Sequence, residues 1–475
     1  MTNSSFEDSQ KPLIIPEDLH QKSAPSQVKL FNNQIILNPS ISKTNFIAFL
    51  LYSFYVGTIL LPLNALQEPL LTNIYNLSAS EAADANSLFQ LTQIGAQVLL
   101  APLFGFLCDK YGRKMFIIIG VIMLTISIAV LPNLPNVYPS FFFLQAVLGV
   151  GILAINISPF LADYIDNQTK GRVAGIATVF NFLGAATATL INQFADLTKN
   201  LNQQYYKLGA LDLVIGIIII FGLKGGQYYK NFSDRTKEIT SEALGVSDSE
   251  NSTLRVAVND APSAISKKPE EGLSLKDGIK AAQNPWILAG YISYFLGLQF
   301  INLLGYPMVT YVKALVSQDE QAASQASALA TVGLATGVLS SLFTGVLADK
   351  WNKFRILVVA LLNSLIGSAL VVLLKNPYSF TEYIAMVSCG ASAGTFITLA
   401  TQFLGRYAAP KYRASVSSLG AICALIGGVI TNILGVYLSK YYYLYPFFIY
   451  SGFALICLIL LMILYGYKKS ILNTL

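Results

Sequence analysis

Twelve apolar stretches, each about as long as a bilayer is thick, constrain the fold of this chain more than any other feature. A helix of about 20 apolar residues crosses the hydrocarbon core, and a helix pairs its backbone polar groups internally, as lipid requires. The sequence is 54% hydrophobic and only 12% charged, which is too apolar for an ordinary soluble enzyme. We therefore predict an all-α integral membrane protein. Its twelve transmembrane helices are predicted at 45–66, 83–107, 114–132, 140–165, 176–194, 206–223, 285–312, 322–347, 355–374, 381–405, 414–438 and 445–467.

The basic residues predict how these helices are oriented, because Lys and Arg concentrate on the cytoplasmic side of a membrane protein. With the N-terminus placed in the cytoplasm, 26 of the 31 basic residues fall on that side. We therefore predict that the N- and C-termini are both cytoplasmic, in a membrane that the sequence does not identify. The net charge of +6 follows from this topology, so no nucleic-acid partner is expected. The opposite side holds Lys199, Lys207, Lys313, Lys375 and Lys440.

Three polar segments divide the chain. Residues 1–44 carry scattered Pro, Ser and Asn and are predicted to form a disordered cytoplasmic tail. Residues 224–284, rich in Ser, Glu and Lys, are predicted to form a cytoplasmic central loop, and 468–475 a short cytoplasmic C-terminal tail. The segments between them, 45–223 and 285–467, are predicted to be two six-helix bundles.

The chain offers few groups for catalysis or metal binding. Its single histidine, His20, lies in the N-terminal tail, and its four cysteines fall within or at the ends of predicted helices. A Ser/His or Cys/His catalytic arrangement therefore lacks its base, and the common zinc sites lack their ligands. We predict no enzyme activity, no metal site and no cofactor.

A repeated loop indicates that the two bundles are related. The stretch GFLCDKYGRK at 105–114 recurs as GVLADKWNKF at 345–354, which is 240 residues further along the chain. Arg172 has a counterpart in Arg413, 241 residues later. Two loops that recur at nearly the same offset predict two pseudo-symmetric halves of six helices.

On these residues the chain resembles the major facilitator superfamily over about residues 45–467. The family motif G-x-L-x-D-x-x-G-R-K, between the second and third helices, is met in full, whereas the second copy has Asn352 for its second glycine. The resemblance implies two halves that rock around a central cavity and expose it to each side of the membrane in turn. The residues of the first copy are Gly105, Leu107, Asp109, Gly112, Arg113 and Lys114.

The motif residues are predicted to hold the cytoplasmic side closed. Gly105 permits two helices to approach closely, and Gly112 permits the tight turn that follows. The resemblance places Asp109 at the positive N-terminal end of helix 11. Arg113 needs a carboxylate partner, for which we predict Asp163.

In the second half, Arg406 occupies the position that matches Asp163, so we hypothesise a reversed ion pair between Arg406 and Asp349. The alternative is that these charges are ordinary anchors of cytoplasmic loops. The remaining gating candidates are Arg172, Gly345, Lys353 and Arg413.

Uncharged polar side chains form one-sided stripes on four predicted helices. The resemblance assigns the cavity mainly to helices 1, 4, 7 and 10, with help from helices 2, 5, 8 and 11. The alternative for each residue is a hydrogen bond between helices, which contributes about 0.6–2 kcal/mol. The candidates for solute binding are Gln90, Gln93, Gln97, Gln145, Asn156, Gln299, Asn302, Tyr306, Ser392 and Thr395.

The stripes contain no charged residue near the middle of a helix. An anionic solute would need a buried base and a cationic solute a buried acid. Gln145 stands where many family members carry an arginine, and the glycine and proline motif of antiporters is missing from 181–190. We predict secondary active or facilitative transport of a small neutral or zwitterionic solute, by a monomer in the lipid bilayer.

Two alternatives stay open. The first is a proton-coupled drug or organic-ion antiporter, in which Asp84 or Asp212 would carry the proton. Against this, the acidic residues near the outer helix ends, including Glu68 and Glu382, have a simpler interpretation as solvated helix caps. The second alternative is a transport-inactive nutrient sensor or membrane scaffold that binds cytosolic partners through residues 224–284 and the long N-terminal tail.

Overall fold

A computed structural model of the chain shows twelve main helices in the part that it describes. They are α1 (Lys43–Asn73), α2 (Ala79–Tyr111), α3 (Arg113–Val130), α4 (Phe142–Asn156), α5 (Lys170–Phe194), α6 (Leu201–Gly222), α7 (Pro285–Leu303), α8 (Asp319–Lys350), α9 (Lys353–Leu374), α10 (Phe380–Tyr407), α11 (Arg413–Val429) and α12 (Tyr445–Thr474). The described residues are 28–31, 34–38, 41–156, 160–166, 168–194, 201–225, 279–280, 282–304, 306–316, 319–374, 376–408, 412–439 and 441–474.

Helix length and composition fit a bilayer. Among the described residues, nine segments are long and apolar enough to cross a membrane. Their outward surfaces carry many exposed large apolar side chains, such as Phe221, Leu99 and Phe343. Because such surfaces are unfavourable in water, lipid is the solvent that suits them.

Three of the predicted helices depart from a single regular α-helix within the described residues. Helix α4 is preceded by a π-helical segment, Val137–Phe141, and followed by a short helix, Phe160–Tyr164. Helix α7 ends at Leu303 and resumes as Tyr306–Lys313, because Pro307 has no N–H to donate to the Leu303 carbonyl. Helix α11 continues through π-helical and short α-helical turns to Ser439.

The helices form two groups, each with its own apolar core. In the first group α1 lies against α5, α2 against α4, and α3 against α4 and α6; the second group repeats these contacts with α7 against α11, α8 against α10, and α9 against α10 and α12. The groups meet where α5 contacts α8 and where α2 contacts α11. Because α8 is the equivalent of α2 and α11 is the equivalent of α5, the contact of α2 with α11 corresponds to the contact of α8 with α5. A two-fold relation between the halves requires this correspondence.

The internal repeat extends into the closest helix contacts. A Cβ atom built at Gly149 of α4 would lie 2.5 Å from the Gln93 carbonyl oxygen of α2. In the second half, a Cβ built at Gly390 of α10 would lie 2.1 Å from the Gly333 carbonyl oxygen of α8. Gly333 stands 240 residues after Gln93, and Gly390 stands 241 residues after Gly149. Only glycine permits the backbones to approach this closely.

The residues before α1 correct the predicted disordered tail. Residues 29–30 and 35–36 form two short antiparallel strands, β1 (Lys29–Leu30) and β2 (Ile35–Ile36), so the prediction of disorder is wrong for this part of 1–44. The first 27 residues and nearly all of the predicted central loop, 226–278 and 281, lie outside the described residues. At the other end, α12 runs seven residues past its predicted end at 467.

We predict that Gly390→Val lowers the free energy of unfolding by about 1–3 kcal/mol, because an added side chain must push α10 away from α8. Gly452→Val is the matched control, since no atom lies within 4 Å of a Cβ built at Gly452. Chemical unfolding of both variants in detergent tests this, and equal losses would show that the Gly390 contact is unimportant.

Candidate functional site

The two repeated loops lie on one side of the helix bundle, which we call the motif side; it holds the α2–α3 turn and the α8–α9 turn. At the first turn Gly112 adopts φ 95°, a conformation that disfavours side chains. The chain therefore leaves α2 at Tyr111 and enters α3 at Arg113 without a loop. This turn fixes Asp109, in the last turn of α2, beside α11.

Asp109 binds the N-terminus of α11. One carboxylate oxygen accepts a hydrogen bond from the Ala414 amide (2.9 Å), and the other accepts from the Ser415 amide (2.8 Å) and the Ser415 hydroxyl (2.7 Å). These amides are the second and third of the helix and have no partner within it. The negative charge also lies at the positive end of the helix dipole. Asp109 of the first half thus holds the second half.

Asp349 makes the equivalent contact in the opposite direction. Its oxygens accept from the Gly171 amide (2.8 Å) and the Arg172 amide (3.1 Å), the second and third residues of α5. The Arg172 Nε lies 3.7 Å from the same carboxylate. Each half therefore supplies one carboxylate to a helix N-terminus of the other half.

Glycine lets these carboxylates reach the helix ends. A Cβ built at Gly105 of α2 would lie 2.3 Å from the Ser418 hydroxyl oxygen and 2.9 Å from the Ser415 Cα of α11. A Cβ built at Gly345 of α8 would lie 2.7 Å from the Gly171 carbonyl oxygen of α5. Both motif glycines are thus at places where helices of different halves touch.

Asp163 joins the halves through a buried ionic cluster. It forms an ion pair with Arg113 of its own half, and its other oxygen lies 3.2 Å from the Arg413 Nη1 of the second half. All three side chains are less than 10% exposed. Arg413 also donates to the Ala408 carbonyl (3.2 Å), so most of its donors are satisfied. A charge buried in this way needs its partner.

The hypothesised pair between Arg406 and Asp349 is not formed. Asp349 binds α5 instead, and the Arg406 side chain is exposed. The reason lies in the repeat, since the position that matches Arg113 is Lys353. The second half therefore has two cations, Lys353 and Arg406, at the positions where the first half has an arginine and an aspartate. These cations repel each other, and Lys353 is buried beside Asp349 while Arg406 is exposed.

Three contributors to the motif side were missed by the sequence analysis. The Lys170 ammonium donates to the Gly405 carbonyl across the halves (3.3 Å), and Ser415 adds its hydroxyl to the Asp109 contact. The Gln402 side-chain amide lies 3.4 Å from the Asp349 carboxylate. Ser415 could have been found as a hydroxyl residue in the first turn of a helix. The two remaining residues of the first motif copy lie away from these contacts. Leu107 packs against a small apolar cluster of residues from α2, α3, α4 and α11, and Lys114 lies beside Gly225.

The polar stripes of the first half belong to α2 and α4, which lie against each other. Gln93, Gln97 and Gln145 are all less than 10% exposed, and Gln145 stands one turn before Gly149, which touches α2. Gln90 is half-buried, whereas Asn156, at the end of α4, is exposed.

On α7, Gln299 is fully buried, and neither polar atom of its amide has a hydrogen-bond partner in the part of the chain that the structure describes. Its Cγ lies against Gly427 of α11, and Asn302 lies against Gly428. Asn302 donates to the Leu298 carbonyl of its own helix (2.9 Å). The side chain of Tyr306 lies outside the described atoms. A buried amide without partners costs free energy, so Gln299 is the strongest candidate for a solute contact.

The hydroxyl groups of the stripe on α10 form hydrogen bonds to neighbouring helices. Ser392 accepts from the Asn363 amide of α9 (3.0 Å), and Thr395 shares a hydrogen bond with Thr344 of α8 (2.9 Å). These bonds join helices of the same half, as the alternative interpretation proposed. The assignment of Ser392 and Thr395 to a solute cavity stays a prediction.

Two of the acidic residues are buried rather than solvated. Asp212 of α6 is 6% exposed and accepts from the Thr125 hydroxyl of α3 (2.6 Å). Glu382 of α10 is 0% exposed, and the Tyr311 hydroxyl lies beside it without hydrogen-bond geometry. The cap interpretation is thus wrong for both. Asp84 is exposed, and the Glu68 side chain lies outside the described atoms.

Comparison with known proteins agrees with this architecture. The sequence model of the Major Facilitator Superfamily matches residues 44–237 and 262–471, which is most of the chain. The protein belongs to the major facilitator superfamily. It is therefore a multi-pass membrane transporter and not an enzyme, and the predicted all-α fold of two related halves is confirmed.

Curated relatives are distant. The chain is 21% identical over 340 residues to the multi-drug resistance efflux pump PmrA of Streptococcus pneumoniae, covering 71% of this chain and 75% of the pump. It is 20% identical over 343 residues to the multidrug resistance protein MdtG of Dickeya zeae, covering 72% of this chain and 74% of that protein. At this distance no subfamily can be assigned.

Solved structures share the fold. The proton:xylose symporter XylE, bound to 6-bromo-6-deoxy-D-glucose, aligns with a TM-score of 0.65 at 15% identity, covering 88% of this chain and 94% of that one. The human organic anion transporter MFSD10 aligns with a TM-score of 0.60 at 17% identity, covering 88% and 99%. These proteins carry different solutes on one fold, so the fold alone does not identify the solute.

We predict that Asp163→Ala lowers the free energy of unfolding by about 3–5 kcal/mol, because Arg113 and Arg413 would stay buried without their carboxylate. Asp166→Ala is the control in the same loop, because its carboxylate is more exposed and accepts a hydrogen bond from the Gln168 amide. Chemical unfolding in detergent measures both, and a loss below about 1 kcal/mol for Asp163→Ala would mean that the arginines find other partners.

Proposed function

We propose that the two halves rock against each other to carry a small solute, and that the motif-side contacts hold one end of the pathway closed between strokes. The observation that carries this proposal is the reciprocal exchange of carboxylates, Asp109 to α11 and Asp349 to α5. Each contact crosses from one half to the other, so separating the halves breaks both. Rigid halves joined by few polar contacts suit alternating access.

The distribution of basic residues supports placing the motif side in the cytoplasm. Short loops rich in Lys and Arg stay on that side, and the two motif turns contain Lys110, Arg113, Lys350 and Lys353. With this orientation the structure corresponds to a transporter closed towards the cytoplasm.

The solute that fits best is small and neutral or zwitterionic. The candidate contacts are amides: Gln93, Gln97 and Gln145 between α2 and α4, and Gln299 and Asn302 on α7. Amides both donate and accept hydrogen bonds, which suits hydroxyl, amino-acid or amide groups.

A ligand screen tests the solute class. Purified protein in detergent is heated with sugars, polyols, nucleosides, amino acids, organic anions and organic cations, because a ligand of the folded state raises the melting temperature. We expect a shift with one neutral or zwitterionic class. Stabilisation only by charged compounds would contradict the proposal.

The contact residue can then be tested with the compound so found. Gln299→Ala is expected to weaken its binding about tenfold, as the loss of one or two hydrogen bonds would. Ser364→Ala serves as the control, since its buried hydroxyl shares a hydrogen bond with Tyr450 of α12. Titration calorimetry on both variants decides, and equal affinities would remove Gln299 from the site.

A second candidate function is proton-coupled efflux of drugs or organic ions, which the names of the curated relatives favour. Asp212 is the carboxyl that suits this function, because it is buried in the membrane and lies in a cleft with Thr58 of α1. A buried acid in a membrane marks a functional site by default.

Coupling is tested in proteoliposomes with an imposed pH gradient. If protons drive transport, Asp212→Asn should abolish the acceleration by the gradient, whereas Asp84→Asn, at an exposed residue, should preserve it. Transport that ignores the gradient in the unmodified protein would instead indicate a uniporter.

A further inference from the structure

The segment before α1 docks on the loop that carries the gating residues. We call residues 28–31 and 34–38 the N-terminal clip. Its second strand, β2, pairs antiparallel with the chain that follows the short helix Phe160–Tyr164. The Ile36 carbonyl accepts from the Asp166 amide (3.0 Å), and the Asn38 amide donates to the Tyr164 carbonyl (2.8 Å). The Ile36 amide donates to the Thr169 hydroxyl (3.2 Å). The clip is thus a two-stranded sheet that is joined to this chain by one antiparallel bridge, between Leu37 and Ile165.

The clip is also anchored by apolar burial. Ile35 and Leu37 are 3% and 0% exposed and belong to the core of the first half. Their side chains bind the clip to the half that contains α1 to α6. A segment held by both backbone pairing and buried apolar groups is a defined structural element.

Two polar contacts connect the clip to the charges that join the halves. The Gln34 carbonyl accepts from the Arg172 Nη1 (3.1 Å), while the Arg172 Nε faces Asp349. The Asn38 side-chain amide donates to the Asp163 carbonyl (2.8 Å), while the Asp163 carboxylate faces Arg413. Each contact therefore holds one side of an ionic bridge in the place where the other half meets it.

We propose that the N-terminal clip is a latch that favours the conformation closed on the motif side. This inference rests on the proposed rocking of the halves. A contact shifts an equilibrium only if it differs between the two states. The clip provides that difference because it holds Arg172 and the residues around Asp163 in place before the second half closes on them. Less conformational entropy is then lost on closure. Release of the clip shifts the population towards the conformation open on this side.

A buried position between α2 and α11 reports on opening. Ser418 is 0% exposed and lies against Gly105, so a thiol placed there reacts only when these helices separate. The experiment uses Ser418→Cys in a chain whose four native cysteines are replaced by serine, and measures the rate of maleimide labelling in detergent. Three versions are compared: the full chain, a chain without residues 2–27, and a chain without residues 2–38.

We expect removal of 2–38 to accelerate labelling about five-fold or more, the range of ordinary coupling between sites, and removal of 2–27 to leave the rate unchanged. The point variant Asn38→Ala should also accelerate labelling. Its control is Gln168→Ala, which changes an exposed side chain in the segment that follows the short helix Phe160–Tyr164. Size-exclusion profiles and melting curves confirm that each variant is folded.

The variant Asp109→Ala separates this inference from the proposed function. If Asp109→Ala accelerates labelling but loss of the clip and Asn38→Ala do not, the halves rock and the latch is refuted. If Asp109→Ala also leaves the rate unchanged, the motif side does not open and the rocking proposal fails with it. Equal acceleration by removal of 2–27 and of 2–38 would assign the effect to the first residues and overturn the latch.

Discussion

The structure depends on a carboxylate from each half that binds a helix N-terminus of the other. Asp109 and Asp349 each accept hydrogen bonds from the second and third amides of a helix. Helix ends carry unpaired N–H groups and a positive partial charge, so a carboxylate is stabilised there without a buried cation. The contact is strong when aligned and lost when the helix shifts by a few ångström. It can therefore hold two rigid bodies together and still release them.

The two-fold repeat explains why the contact occurs twice, and the exceptions explain where the halves differ. Glycines at 105 and 345 bring α2 to α11 and α8 to α5. The ionic cluster around Asp163 has no counterpart, because the matching positions are Lys353 and Arg406. The first half therefore carries the bridging acid, and the second half supplies Arg413 to it. The closed side is symmetric in its helix contacts and asymmetric in its charge.

Much of this architecture could be predicted from the sequence because hydrophobic length and basic loops are local properties. The motif turn also followed from residue type, because the positive φ at Gly112 is a conformation that glycine adopts readily. Partners across the halves were harder. The pair of Arg406 with Asp349 failed because complementary charge at matching positions does not show whether a backbone amide competes for the carboxylate. The stripe on α10 is ambiguous for a similar reason, since the hydroxyl groups of Ser392 and Thr395 suit a neighbouring helix as well as water. The clip was missed because short strands in a polar segment have little periodicity.

The most direct test of the account measures two distances in one protein by pulsed electron paramagnetic resonance. One spin-label pair joins Tyr111 and Trp351, which are exposed on the motif side of different halves. The other joins Asn73 and Thr381, exposed at the opposite end. Replacing both Asp109 and Asp349 by alanine should lengthen the motif-side distance and shorten the opposite one, as rocking about a central cavity requires. Unchanged distances, or lengthening at both ends, would contradict the claim that these carboxylates hold rocking halves closed.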